Sequence, residues 1–240
     1  MQRIVSRLFD FIYPATCHLC ETGLSHGRHL CSGCAHALPV IEPPFCQQCG
    51  EMYDGQIDGP FTCPNCHKQD YHFSFARASL QSEGSARELI HAFKYQRQVH
   101  LAPDLAKLAQ RALEDARFSN YPDSGIIVPV PLFWRRQQKR GFNQSEQIAI
   151  HLAKQTGIPT LNALKRTRNT ATQTRFSRTK RLQNLKGAFS PRSRYLKELS
   201  NRRIILLDDV FTTGSTANEC ARTLSKHGAS DIAILTVLRG

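Results

Sequence analysis

The sequence contains no run of about 18 apolar residues, so no segment reads as a bilayer-spanning helix. Its opening stretch, MQRIVSRLFDFIYP, is too short for a secretory signal and is interrupted by Asp10 and Pro14. With Ile4, Leu8 and Phe11 on one side, that stretch suits an amphipathic helix packed on the protein's own core. These two absences point to a cytoplasmic protein. A third absence is of one sign of charge. Between Gln147 and Lys197 there are twelve Lys or Arg and no Asp or Glu, which accounts for nearly all of the net charge of +13. A field localised in this way suits a polyanion, either a diphosphate or a nucleic-acid backbone; the plainer alternative is a solvated basic loop. Cysteine is also missing after Cys66, apart from Cys220. A hydrophobic content of 40% over 240 residues is ordinary and leaves room for one sizeable core plus a small extra module.

Eight of the nine cysteines fall in four Cys-x-x-Cys pairs: Cys17/Cys20, Cys31/Cys34, Cys46/Cys49 and Cys63/Cys66. Each pair can form a knuckle that offers two thiolates to one metal, and tetrahedral zinc takes four. Taken in order, the pairs make one site from Cys17–Cys34 and one from Cys46–Cys66, with loops of ten and thirteen residues. The sequence does not exclude an interleaved pairing. Disulfides are disfavoured in a cytosolic setting. A redox Cys-x-x-Cys usually occurs once beside a βαβ unit, and an iron–sulfur cluster fits paired spacing less well. Structural zinc, two ions with every coordination position filled, is the expectation. His18, His26, His29 and His67 lie nearby and read as surface or surrounding groups. Cys220 reads as a small buried residue.

The boundary suggested by composition is residues 1–70 for a Cys-rich double ribbon and 71–240 for the rest. In the second part, Phe73–Leu80 and Gly125–Val130 read as strands. Ser85–Tyr95, Leu101–Ala116 and Asn143–Lys154 read as helices, with Asn143 as candidate N-cap. The Pro131–Gln144 stretch reads as a basic loop able to hold a diphosphate, with Arg136 and Arg140 as the best single candidates. Trp134 and Phe142 are candidates to stack on a base, though packing is the commoner use. Leu164–Phe189 has little periodicity and reads as a mobile loop or irregular hairpin, and Ile232–Leu238 as a further strand.

The chain is organised around Arg203–Thr216, RIILLDDVFTTGST. Four apolar residues, Ile204–Leu207, read as a buried parallel strand, followed by Asp208 and Asp209. Next comes the hydroxyl-rich loop Thr212, Thr213, Gly214, Ser215 and Thr216, and then a helical pattern. A phosphate at such a turn meets free backbone N–H groups and the positive end of a helix dipole, and Gly214 allows close approach. The carboxylates suit vicinal sugar hydroxyls. A sugar carrying a terminal phosphate is the natural ligand.

This stretch resembles the phosphoribosyl-diphosphate (PRPP) motif of type I phosphoribosyltransferases. The resemblance implies an α/β fold, a mainly parallel sheet flanked by helices, with a small amino-terminal zinc-ribbon domain. It implies that Asp208 and Asp209 contact ribose hydroxyls, that Thr212–Thr216 hold the 5′-phosphate, and that magnesium accompanies PRPP. It also implies a loop closing over the ligand, which would bring Arg175, Arg178 and Arg181 to developing pyrophosphate charge; Arg178 and Arg181 are taken with the acid pair as catalytic. The four cysteine pairs, FKY at Phe93–Tyr95, VPVP at Val128–Pro131, RGFNQ at Arg140–Gln144, and Gln173, Arg178, Arg181 and Asn184 narrow the resemblance to the ComF/GntX (ComFC) family. That family implies a role in DNA uptake in competence or in DNA utilisation, beside competence and DNA-translocation proteins at the inner membrane. Two functions stand at this point: a phosphoribosyltransferase with an unnamed acceptor, or a non-catalytic single-stranded DNA-binding adaptor.

Overall fold

The computed structural model describes residues 15–24, 27–170 and 184–240. The amino-terminal stretch, His26, and Gln173, Arg175, Arg178 and Arg181 lie outside these residues. In chain order the main elements are β1 (Phe75–Gln81), α1 (Gly84–Tyr95), α2 (Ala102–Arg111), β2 (Gly125–Pro129) and α3 (Trp134–Arg140). They are followed by α4 (Gln144–Thr156), β3 (Leu164–Arg166), β4 (Phe189–Pro191), β5 (Arg203–Phe211), α5 (Ser215–Ser225) and β6 (Asp231–Arg239). Among the described residues no helix is long and apolar enough to cross a membrane.

The apolar runs of β1, β2, β5 and β6 form one sheet in the order β1–β6–β5–β2, every neighbouring pair parallel. Strands buried on both faces need continuous apolar sequence, and β5 and β6 have it. Their side chains alternate between two cores. Ile205, Leu207, Ala233 and Leu235 face α1, α2 and α4, whose Phe93, Leu105, Ile148 and Leu152 are buried against them. Ile204, Leu206, Ile232 and Ile234 face α5, through Ala217, Cys220 and Leu224. Cys17, Leu30 and Leu38 join the first core, and Cys46, Cys49, Cys63 and Cys66 join the second. The two cysteine-bearing segments therefore sit against opposite faces of the sheet. The β1 edge is covered by backbone pairing: Ile41 N–H donates to Ser79 O and Gln81 N–H to Pro39 O, both at 2.9 Å.

Three elements differ from the sequence pattern. The helix expected over Leu101–Ala116 ends at Arg111 and gives way to 3₁₀ turns, because Asp115 turns inward. Its carboxylate accepts from the Arg117 N–H at 3.0 Å and pairs with the buried Arg77 at 2.6 Å. The basic Pro131–Gln144 loop contains a helix, α3, none of whose residues is wholly buried, and so it leaves no apolar period to read. β5 continues through the acid pair to Phe211, so both carboxylates lie within the strand. The irregular hairpin is present at its base, where β3 and β4 pair antiparallel. Asn143 caps α4 as expected, accepting from Ser145 N–H at 3.2 Å.

Connectivity places a crevice. After β2 the chain runs outward, through α4, to Pro159–Leu161, where Ile127 N–H donates to Pro159 O at 2.8 Å. After β5 it turns the other way, through α5, to β6. The carboxyl ends of β2 and β5 are thus the point where the winding reverses, the position at which open α/β sheets bind ligands.

Candidate functional site

The two carboxylates on β5 diverge because strand side chains alternate. Asp209 falls on the side of Ile205 and Leu207. It is 3% exposed, and its Oδ2 lies 2.7 Å from Nζ of Lys94, in the last turn of α1. Asp208 falls on the side of Ile204 and Leu206 and is half-buried. Its Oδ1 accepts from Ser145 Oγ and from the Asp209 N–H, both at 2.9 Å. Among the described residues no cation pairs with it. Burial, and then the charge of Asp209, push its pKa up to about 7 against the opposing pull of Lys94 and Ser145.

Beyond β5, Gly214 adopts φ 72°, the left-handed region, and caps α5. A Cβ there would stand 2.6 Å from the Phe211 ring, so the turn needs glycine on two grounds. No side chain caps the first turn of α5, which leaves its N–H groups turned to the loop. Thr213 and Ser215 hydroxyls lie 3.0 Å apart. Asp208, Thr236 and the Thr212–Thr216 stretch line one cleft; Asp209 does not line it. Of the predicted acid pair, one member shares the cleft with the Thr212–Thr216 loop, and the other is held by Lys94.

Across the crevice stands an arginine cluster. Arg136, on α3, donates from Nη2 to Thr170 O at 2.6 Å. Arg166, on β3, hydrogen-bonds the Thr170 hydroxyl and lies over the Phe189 ring. Burial, and then the neighbouring Arg140, hold the Arg136 pKa below its ordinary value; burial, and then Arg136, do the same for Arg166, while Asp208 opposes it. Arg140 Nη1 and Arg166 Nε are buried donors with no hydrogen-bond partner. Buried unsatisfied guanidinium donors among like charges are costly unless an acceptor arrives. An anion placed among them would answer those donors.

Arg136 and Arg140 are where the sequence places a diphosphate site, on a helix instead of a loop. Arg178 and Arg181 lie outside the described residues. Lys94, Ser145 and Arg166 were not singled out by sequence reasoning. Lys94 sits inside the quoted FKY and Ser145 directly follows RGFNQ, so adjacency to those motifs was the available signal. Trp134 is 53% exposed and Phe142 is buried against Phe93, so of the two only Trp134 is free to stack. Cys220 is fully buried, as expected.

The cysteines assemble in sequence order. The four sulfurs of Cys17, Cys20, Cys31 and Cys34 lie within 4.8 Å of one another, as do those of Cys46, Cys49, Cys63 and Cys66. Backbone N–H groups point at the sulfurs: Cys34 N–H to Cys31 Sγ and Cys63 N–H to Cys46 Sγ, both at 3.2 Å. Two compact, all-thiol sets with no oxygen ligand and no open position fit structural zinc. No histidine joins either set among the described residues.

Comparison with known proteins agrees with both halves. Residues 8–67 match a double zinc ribbon domain, and residues 137–240 match a phosphoribosyl transferase domain. Competence protein F of Haemophilus influenzae is 35% identical over 230 residues, covering 93% of this chain and 96% of its own. The chain belongs to the competence protein F family. DNA utilization protein YhgH of Escherichia coli K12 is 32% identical over 94% of this chain and 97% of its own. Competence protein ComFC of Bacillus subtilis is 24% identical over 95% of this chain and 96% of its own. Among solved structures, the PRPP amidotransferase of B. subtilis overlays on 55% of this chain and 25% of its own, at 22% identity and TM-score 0.36.

Proposed function

We propose that this member of the competence protein F family binds PRPP with magnesium and transfers its 5-phosphoribosyl group to an acceptor, in the service of DNA uptake or utilisation. The observation that carries this reading is a single crevice with three kinds of group. Asp208 and the Thr212–Thr216 loop line one cleft, and in the arginine cluster Arg140 and Arg166 hold unbonded donors. The loop N–H groups suit the 5′-phosphate and the Asp208 carboxylate suits a ribose hydroxyl. The arginines suit the diphosphate, each arrangement matching the charge of its partner.

In such a transfer the bond from C1 to the diphosphate oxygen breaks and the diphosphate departs with the electron pair. The acceptor's nucleophile bonds to C1 and loses its proton. The chain's own contribution is to hold the sugar at both ends and to stabilise charge growing on the leaving group. Magnesium takes oxygen ligands and keeps several waters, so Asp208 and the ligand's own oxygens would hold it. The relatives' names, competence protein and DNA utilization protein, support the physiological setting. A cytoplasmic position beside inner-membrane DNA-translocation proteins is part of the same proposal, as is the division into residues 1–70 and 71–240.

The test is calorimetric titration of PRPP and magnesium into zinc-loaded protein, beside Asp208→Asn. Micromolar affinity that falls at least about tenfold in the variant supports the reading. A folded wild-type protein that gives no heat of binding removes it.

A second reading has its own observation. Tyr95 is 63% and Trp134 53% exposed, and each lies beside a guanidinium, Arg140 and Arg135 respectively. Exposed aromatics interleaved with cations form a platform for single-stranded DNA. Binding that weakens steeply with salt, and is lost in Trp134→Ala, supports it; indifference to both sinks it.

A further inference from the structure

We propose that Arg239 is a positioning residue that couples the second cysteine cluster to the phosphate loop. Metal retention at Cys46, Cys49, Cys63 and Cys66 and ligand binding at Thr212–Thr216 then strengthen each other. The inference rests on the reading that this loop holds a phosphorylated ligand, and names how that site is regulated.

Arg239 is the last residue of β6 and its side chain is 12% exposed. Its guanidinium reaches in two directions. Toward the ribbon, Nε donates to Cys49 O at 3.2 Å, and Nη2 lies 3.7 Å from Cys49 Sγ and 3.2 Å from Glu51 Oε2. Toward the loop, Nη1 donates to Phe211 O at 3.5 Å and the guanidinium lies over the Phe211 ring. Phe211 is the residue from which the loop springs, and its ring is what the Gly214 turn packs against. One planar cation thus spans the cluster and the residue that shapes the turn. Cys49, Cys66, Glu51, Thr212, Thr213 and Arg239 line one shared cleft.

Metal loading changes what Arg239 faces. Cys49 and Cys63 Sγ lie 3.8 and 3.5 Å from Glu51 Oε2, so the carboxylate borders the sulfurs that would hold the ion. A zinc ion would take those cysteines as thiolates, beside Glu51. Four thiolates around one Zn²⁺ leave a net negative charge beside the carboxylate, and Arg239 answers both. The guanidinium fork is thereby fixed, and with it Phe211 and the turn. No comparable bridge links the first cluster to the loop among the described residues: its anchor, His29 N–H to Asp104 Oδ2 at 3.0 Å, runs to α2. Because coupling between binding sites is reciprocal, ligand at the loop must raise the second cluster's affinity for metal by the factor that metal strengthens ligand, and slower metal release is the expected kinetic sign of it.

The experiment follows zinc release from the full-length, zinc-loaded protein to a chromogenic chelator, with and without saturating PRPP and magnesium. Cys20→Ser, at an exposed ligand of the first cluster, assigns the fast phase. PRPP is expected to slow the remaining phase at least about fivefold and to leave the fast phase unchanged. Arg239→Lys keeps the charge but not the fork; it is expected to retain both zinc equivalents, bind PRPP more weakly, and lose the slowing. Slowing of both phases alike, slowing that survives in Arg239→Lys, or no slowing in a protein that calorimetry shows to bind PRPP overturns the coupling alone. No PRPP binding in the wild type overturns the coupling together with the function on which it rests.

Discussion

The two faces of the sheet receive one carboxylate and one cysteine cluster each, and treat them differently. On the α1, α2 and α4 face, Asp209 is buried and answered by Lys94, and the first cluster is partly exposed. On the α5 face, Asp208 has no cation partner among the described residues, Arg166, whose charge it feels, holds an unbonded Nε donor, and the second cluster is fully buried. The first face has its charges settled within the chain. The second leaves them open to a ligand. Alternation along one strand separates the two roles over adjacent residues, so an acid pair that looks symmetrical in sequence is asymmetrical in space.

The comparison breaks most readily at the clusters. Cys63→Ser removes a ligand from the buried set that joins the sheet's second core, and is expected to lower unfolding free energy by about 4 kcal/mol or more. Cys20→Ser, at the exposed set, is expected to cost about 1 kcal/mol. Denaturant unfolding of both variants beside the wild type measures the difference, and equal losses would erase the distinction between the faces.

Next in size is the Lys94–Asp209 pair. Lys94→Met leaves a buried carboxylate without its cation, at a cost of about 3 kcal/mol. The double variant Lys94→Met/Asp209→Asn removes both charges and is expected to recover most of that loss. A single variant as stable as the wild type would mean that the pair is not what holds Asp209 in the core. A smaller loss, about 1–2 kcal/mol, is expected for Gly214→Ala, from the left-handed φ and the Phe211 ring. Because that strain sits in the Thr212–Thr216 loop, the proposed PRPP affinity should fall with it, which titration against the variant checks.

Much of this asymmetry was out of reach of the sequence, for identifiable reasons. The apolar run Ile204–Leu207, the glycine turn and the helix after it are local, and were readable from residue type and spacing. The four Cys-x-x-Cys pairs were readable too, but the sequence left open which pairs share a site, and the structure groups them in order. The Lys94–Asp209 contact joins residues more than a hundred positions apart, and no local period signals it. Helix α3 was unreadable because WRRQQKR is polar on every side. Arg166 looked like one basic residue among twelve; only the pairing of β3 with β4 singles it out.

The finest test of the comparison is pH. Asp208 has a folded-state pKa pushed up to about 7, well above its ordinary carboxylate value. The folded protein therefore holds a proton there that the unfolded chain releases near pH 4. Between those values the unfolded state binds fewer protons, so this group's contribution to stability falls as pH rises from about 4 to about 7 and is constant above. Ligand binding runs the other way, because the ionised carboxylate is the better acceptor for a sugar hydroxyl. PRPP affinity is expected to rise about tenfold between pH 6 and pH 8 beyond whatever the ligand's own phosphates contribute. Asp208→Asn removes the titration and isolates that excess: its binding profile should keep only the ligand's slope, and its stability should lose the decline toward pH 7. If the two binding profiles are parallel, Asp208 is not the open acid, and the asymmetry between the faces fails at its central residue.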